Sequence, residues 1–487
     1  MSRAKPGSAE RSITGGSDFL QLTIADAPPG GRSDWLAGQL RLAMSDGRLP
    51  VGSRLPATRV LAAELNVSRG VITEAYQRLT EDGHVAGRGR GGTVVVAVPI
   101  SAPEHPAVTL STTDLFGSGP GNEIFDSYRA VPARIDLSPG VPDLAAFPRA
   151  AWLRAERTVF DSLEPTAFGY GDPRGTPAMR LAVANWLART RGIRADPSEV
   201  VIVCGVAQGL GLLAQVLRAD GFTQVAVEDP GSLGVRQTLV NCGLRTPPVP
   251  VDSAGLRVDR LVESGADAVM LTPAHQFPTG VILDGDRRRQ LMRWGGLIIE
   301  DDYDAEHRYD RPPVPALRSM LAQQVCYAGS VSKLLAPALR IGWLLVPARY
   351  RDAVVAAKRN ADLGNAALPQ LVLAELMASG ELERQLRFLR RRHIRRRDAM
   401  ISALRTHLPG AVVHGAAAGL HLMITFDAGF EDVDLAAAAL AQGVKVQPLS
   451  WHCQRPTRPG LIMGYAANPP TEIAEGIRIL GQVVRSR

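Results

Sequence analysis

From residue 34 the apolar side chains recur at the three- and four-residue intervals that line one face of a helix. In DWLAGQLRLAMSDGRL they stand at 35, 36, 40 and 44. GSRLPATRVLAAELNVSRGVITEAYQRLTEDGHV predicts two more helices. The first, after Pro56, is expected to bury Val60, Leu61 and Leu65, and the second Val71, Ile72, Ala75, Tyr76 and Leu79. Asn66-Val67 turns the chain between them, and Ser68 is placed to cap the second helix. HVAGRGRGGTVVV then predicts a β-hairpin with a glycine-rich, basic tip. Two helices joined by a short turn and followed by a basic hairpin predict a winged helix-turn-helix over residues 32–98.

A different rhythm begins at Ile135. Short apolar runs end in polar or glycine-bearing turns: EVVIVCG, TQVAVEDPG, ADAVMLTPAHQFPTG, GGLIIEDDYD and QQVCYAGSVSK. They alternate with amphipathic stretches, which predicts a doubly wound, mostly parallel α/β sheet over residues 135–487, with ligands held at the carboxyl ends of the strands. Between the two regions, residues 99–134 are rich in Pro, Ser, Gly and Thr and read as a linker.

Bulk properties narrow the setting. A chain of 487 residues is too long for one core. No apolar run reaches the roughly 18 residues that a membrane span needs. MSRAKPGSAERSITGGSD carries no apolar stretch behind its basic residues and is not a secretory signal, and residues 1–31 read as a disordered tail. Cys204, Cys242, Cys326 and Cys453 are scattered without CxxC pairing, which argues against zinc and disulfides and for the reducing cytoplasm. The net charge of +7 permits a polyanionic partner. The basic run RFLRRRHIRRRDAM, residues 387–400, reads as a solvated helix packed through Phe388, Leu389 and Ile394.

The strand-end turns carry a matched set of groups. VCGVAQGLGLLAQVL supplies a glycine turn and a helix whose first amides are free for an anion. EDDYD adds carboxylates and a phenol, GSVSK hydroxyls and an amine, and Arg340 a fixed cation. Together these suit pyridoxal phosphate: amides, hydroxyls and arginine for the phosphate, a carboxylate for the ring nitrogen, a phenol for the 3-oxygen, and Lys333 for the aldehyde.

The stretch RLPATRVLAAELNVSRGVITEAYQRLTEDGHVAGRGRGGT closely resembles a GntR-type DNA-binding domain. That resemblance implies that Arg59 holds a phosphate of promoter DNA, that Ser68, Arg69, Gly70 and Thr73 face bases or backbone, and that Arg90 belongs to the wing. YGDPRGTPAMRLAVANWL, EDPG, TPAHQFPTG, IIEDDYDAEHRY and GSVSKLLAPALRIGW are similar to a fold-type I aminotransferase domain with a small C-terminal α/β subdomain. The fusion of the two resembles the MocR/GabR family of transcriptional regulators. By that resemblance Lys333 is the Schiff-base lysine, Asp301 the pyridinium partner and Tyr303 the phenol at the 3-oxygen, with His275 and Gln276 nearby. Val206, Ala207, Ser330 and Arg340 form the phosphate cup, and Tyr170 reaches the phosphate of the neighbouring subunit in a homodimer.

The chain departs from the family where a ring-stacking aromatic is usual, at Ser232, and where an effector-binding arginine is frequent, at Gly234 and in GLIMGY. Arg455 and Arg458 are the candidate substitutes. The expectation is a cofactor-binding regulator that responds to pyridoxal phosphate itself or to an amino acid. The alternative is an active aminotransferase with a vestigial head.

Overall fold

The computed structural model describes residues 19–22, 24, 27–28, 31–98, 115–117, 119–304, 306–309, 314–427 and 429–486. The chain forms two compact units, Met1–Ala107 and Val108–Arg487.

In the first unit α1 (Arg32–Ser45), α2 (Thr58–Glu64) and α3 (Arg69–Glu81) precede a hairpin of β1 (Val85–Gly87) and β2 (Thr93–Val95). Leu36, Leu40, Met44, Leu61, Leu65, Ile72, Ala75, Tyr76 and Leu79 form its core, so the spacing that predicts helices is the spacing that packs. Val60 is the exception, at 45% exposed. The short α2 buries Leu61 and Ala62 instead, which turns Val60 to the opposite face. Val71 is half-buried. Asn66 takes the left-handed conformation (φ 52°) that the turn requires and that asparagine tolerates. Ser68 stands at the N-cap position of α3, but its hydroxyl makes no capping bond. Most of the expected tail lies outside the described residues, although Leu20 and Leu22 pack against this core.

The second unit's strands are β3 (Ile135–Asp136), β4 (Val200–Val203), β5 (Ala226–Asp229), β6 (Pro248–Asp252), β7 (Gly255–Leu256), β8 (Ala268–Leu271), β9 (Leu297–Asp302), β10 (Val325–Ser330), β11 (Gly342–Leu345), β12 (Ala411–His414), β13 (His421–Phe426), β14 (Val444–Lys445), β15 (Gln447–Pro448) and β16 (Gly460–Gly464). The main sheet has the order β4-β11-β10-β9-β8-β5-β6-β7. Its centre, from β10 to β6, is parallel. β11 runs antiparallel to both neighbours, and β7 antiparallel to β6. Alternate residues of β4 serve opposite faces. Val201 and Val203 pack under helix Gly205–Ala219, and Val200 and Ile202 under helix Pro177–Arg191. Helices on both faces explain why β4, β5, β8 and β10 are buried throughout.

A four-stranded antiparallel sheet, β12-β13-β16-β15, and the β3–β14 pair share a core with helices Glu381–His407 and Pro470–Arg485. Leu115, Phe116, Ile124 and Tyr128 enter the same core, and residues 124–130 are helical. The described part of the expected linker is therefore body, not connector. Its few apolar residues are spread too thinly among Pro, Ser and Gly to show periodicity. The arginine run is only partly solvated. Leu389 is buried and Ile394 packs against the core, but Phe388 is exposed. Arg392 and Arg396 are buried against Asp143, at 2.7 and 2.8 Å.

One ion pair ties a helix to the sheet. Asp302 on β9 pairs with Arg191, both buried, and accepts a bond from the Tyr327 hydroxyl at 2.6 Å. Arg191→Met strands a buried carboxylate and is expected to cost about 3–5 kcal/mol in urea unfolding. Adding Asp302→Leu should recover most of that loss, because the stranded charge is gone.

Candidate functional site

The end of β9 distributes three successive carboxylates by strand alternation. Glu300 accepts from the amides of Leu317 and Arg318, both at 2.9 Å, and Asp302 takes Arg191. Asp301, between them, turns to a cavity of about 750 Å3. Its Oδ1 is shut off from solvent and has no hydrogen-bond partner. The carboxyl is pushed up to about 7, first by burial and then by Asp302 and Asp304, against the pull of Lys333.

The cavity lies at the carboxyl ends of the parallel strands, as the polar turns imply. Gly205, Val206 and Ala207 follow β4, Ser232 follows β5, Thr272 follows β8, and Ser330, Ser332 and Lys333 lie at or just beyond the end of β10. The Lys333 ammonium donates to Gly140 O. Gly140 has φ +79°, a left-handed backbone that favours glycine, and a Cβ there would displace the amine. Burial lowers the lysine's pKa more strongly than Asp304 and Asp301 raise it. At the other end Arg340, itself left-handed at φ 50°, donates to Cys204 O. A Cβ on Gly205 would approach the Arg340 guanidinium to 3.3 Å. Helix Gly205–Ala219 opens here with no side-chain cap, so its first amides face the cavity unclaimed by a capping group.

Tyr303 and Asp304 complete a chain. His275 Nδ1 lies 3.0 Å from the Tyr303 oxygen and 2.9 Å from Asp304 Oδ2. The imidazole thus joins the phenol to the carboxylate, and burial, with Asp304 and Asp301, pushes the Tyr303 phenol well above its ordinary pKa. Asp304 was not singled out in the sequence; its signal was the last residue of EDDYD. Gln276 does not line the cavity. Its amide donates to Pro230 O and Phe277 O, and its carbonyl oxygen accepts from Thr279, so it holds the loop. Phe277 lines the wall instead.

Ser232 lines the cavity and accepts from the Val235 amide at 3.4 Å. The aromatic surface missing there is supplied from elsewhere. Phe125, Phe277 and His452 all line the wall, with Phe277 edge-on to His452 at 5.0 Å. Arg455 is held by Asp229 at 2.7 Å and Arg458 by Asp427 at 3.0 Å, and neither lines the cavity. Tyr170 also stands apart from it, 96% exposed. In the first unit Arg59, Ser68, Arg69, Gly70 and Thr73 are all exposed. Arg69 donates to Thr58 at 3.3 Å, and the Thr73 hydroxyl bonds back to Arg69 O. The side chain of Arg90 lies outside the described residues.

Residues 133–473 match the family described as aminotransferase class I and II, and residues 33–95 match bacterial regulatory proteins of the gntR family. The probable rhizopine catabolism regulatory protein MocR of Rhizobium meliloti is 31% identical over 91% of this chain and 91% of its own length. The chain belongs to the MocR/GabR family of regulators. A second MocR-type relative, the pyridoxine biosynthesis transcriptional regulator PdxR of Corynebacterium glutamicum, is 32% identical over 85% of this chain and 87% of its own. Among solved structures, an archaeal alanine:glyoxylate aminotransferase matches with a TM-score of 0.67 and 26% identity, over 75% of this chain and 93% of that one. The kynurenine aminotransferase of Pyrococcus horikoshii matches with a TM-score of 0.68 and 25% identity, over the same shares. The MocR-type chain thus carries an aminotransferase fold behind a GntR head.

The raised pKa of Asp301 has a testable sign. The folded state holds this proton more tightly than the unfolded chain, whose value is 3.8. Its contribution to stability is full below about pH 4 and is lost as pH rises to about 7. In the ligand-free protein, Asp301→Asn should therefore gain melting temperature over the parent increasingly between pH 4 and 7, with no further gain above. A pH-independent difference would show that Asp301 titrates as an ordinary carboxylate.

Proposed function

We propose that the chain is a DNA-binding transcription regulator whose head, residues 32–98, reads promoter DNA and whose unit 135–487 holds pyridoxal 5'-phosphate. The observation that carries the cofactor is the buried, unpartnered Oδ1 of Asp301 in a cavity shared with Lys333. A carboxyl left without a partner at a site rich in donors suits a cation brought by a ligand, and a pyridinium nitrogen is one. The other groups fit the same molecule. The amides of Val206 and Ala207, with Ser330 and Arg340, suit a phosphate. Tyr303, a cavity-lining phenol linked to His275, suits the 3-oxygen. Lys333, its pKa lowered by burial, suits the aldehyde.

When bound, pyridoxal phosphate supplies a reactive carbonyl and an electron sink. The chain's own residues orient it and fix protons around it. Asp301, pushed up to about 7 in the ligand-free protein, ionises when a cation arrives beside it. Phe125, Phe277 and His452 provide the apolar surface that Ser232 does not. The full exposure of Tyr170 supports a role across a homodimer, at the phosphate of the neighbouring subunit. The head supports regulation rather than turnover. Exposed Arg59, Ser68, Arg69, Gly70 and Thr73 have no use in catalysis, whereas arginine and hydroxyl groups on a helix N-terminal half suit a major groove. The name of one relative, a pyridoxine biosynthesis regulator, supports control of vitamin B6 metabolism.

Lys333→Ala should abolish the visible absorption that pyridoxal phosphate develops on the parent protein, with the fold retained by circular dichroism. A persistent visible band would sink the lysine assignment. Arg69→Ala should weaken promoter binding by about 5- to 150-fold, the equivalent of a roughly 1–3 kcal/mol contact, without altering that absorption. Parent affinity should also fall steeply with salt in gel-shift assays, as counterion release demands.

A further inference from the structure

Among the described residues, four cationic side chains reach the cavity wall: Lys333, Arg340, Lys445 and Arg129. Three are committed. Lys333 donates to Gly140 O, and Arg340 holds Cys204 O beside the opening of helix Gly205–Ala219. Lys445 is buried, pairs with Asp136 at 3.1 Å and donates to Tyr128 O at 3.2 Å. Arg129 differs. Its side chain is 69% exposed, and its partner is Asp126, three residues back on the same short helix and itself 75% exposed. An ion pair so exposed contributes almost nothing and exchanges readily for another anion.

The backbone beneath Arg129 is nevertheless fixed. Neighbouring Tyr128 is buried edge-on to Trp451, with centroids 5.7 Å apart, and Ile124 enters the core. Phe125, on the same helix, lines the cavity as well. A guanidinium with replaceable occupancy, on a fixed backbone at the wall of an anion-accepting cavity, is the group that takes a carboxylate bidentately. Of the two arginines that the sequence offers for this task, Arg455 is held by the buried Asp229, and Arg458, though paired as loosely as Arg129, does not line the wall.

We propose that Arg129 is the carboxylate receptor of this cavity, and that the effector is an amino acid whose carboxylate displaces Asp126 while its amine lies toward Lys333. This rests on the pyridoxal phosphate reading above. It also bears on the choice of effector, because the case for the vitamin as its own signal depends on there being no arginine for a carboxylate. Helix Ile124–Ala130 is among the first described elements after the stretch 99–114 that leads from the head, so the receptor stands where the large unit's chain begins.

The test uses full-length protein loaded with pyridoxal phosphate. It is titrated with L-alanine and with isopropylamine, which replaces only the carboxylate by a methyl group, and both the visible spectrum and the melting temperature are followed. The parent should prefer L-alanine by roughly 10- to 150-fold, the yield of one charge-assisted bidentate contact. Arg129→Gln should bring the two ligands to equal affinity, and Arg129→Lys should restore only part of the preference. An undiminished preference in Arg129→Gln, or none in the parent, overturns the proposal. If the parent protein develops no visible band on loading, the pyridoxal phosphate reading fails instead, so the two failures are distinct.

Discussion

Three carboxylates in succession at the end of a buried strand cannot all remain charged without partners, and much of the large unit follows from how that is resolved. Strand alternation sends Glu300 and Asp302 to one face and Asp301 to the other. Asp302 draws Arg191 out of helix Pro177–Arg191 and so fixes that helix to the sheet. Glu300 caps the turn at Leu317 and Arg318 with two backbone bonds, and burial still pushes it up to about 7. Asp301 receives no protein donor at Oδ1, and of the three it is the one that lines the cavity. Glu300 and Asp302 are thus tied to amides and a guanidinium of the fold, while the carboxylate at the cavity is not.

The same division runs through the arginines. A chain with 55 basic residues looks, as a sequence, like one built to bind polyanions. Inside the large unit many of them do something else: Arg191, Arg392 and Arg396 are buried against aspartates, and Arg318 donates to the backbone carbonyls of Ala322 and Val325. These bonds tie loops and helices together and leave no charge to offer. Arg59 and Arg69 in the head and Arg129 at the cavity are exposed instead. Composition could not separate the two groups, because the difference lies in burial and partner.

What was legible in the sequence was what local spacing controls. The helices of the head, the five strand-end turns and the lysine, aspartate and phenol at those turns all follow from periodicity and turn chemistry. What failed did so for long-range or fine-grained reasons. GWLLV reads as an apolar strand, but nothing local says that β11 runs against its neighbours. Leu115, Phe116 and Tyr128 sit in a stretch with linker composition, and only a core assembled from residues some 300 positions away gives them a place to be buried. Gln276 is expected near the 3-oxygen, yet the loop turns it to its own backbone and gives its neighbour Phe277 to the cavity. Val60 failed by one position on a seven-residue helix, too short for its buried face to be marked by more than one repeat.

The departure at Ser232 shows how far a single-position comparison can mislead. Loss of a stacking aromatic removes a contact that would contribute roughly 0.5–1.5 kcal/mol beyond burial. Judged alone, it implies a cofactor site in decline. In the folded chain Ser232 caps the helix Leu233–Asn241, and the rings at the cavity wall come from Phe125, Phe277 and His452. Phe125 stands on helix Ile124–Ala130, which also carries Arg129.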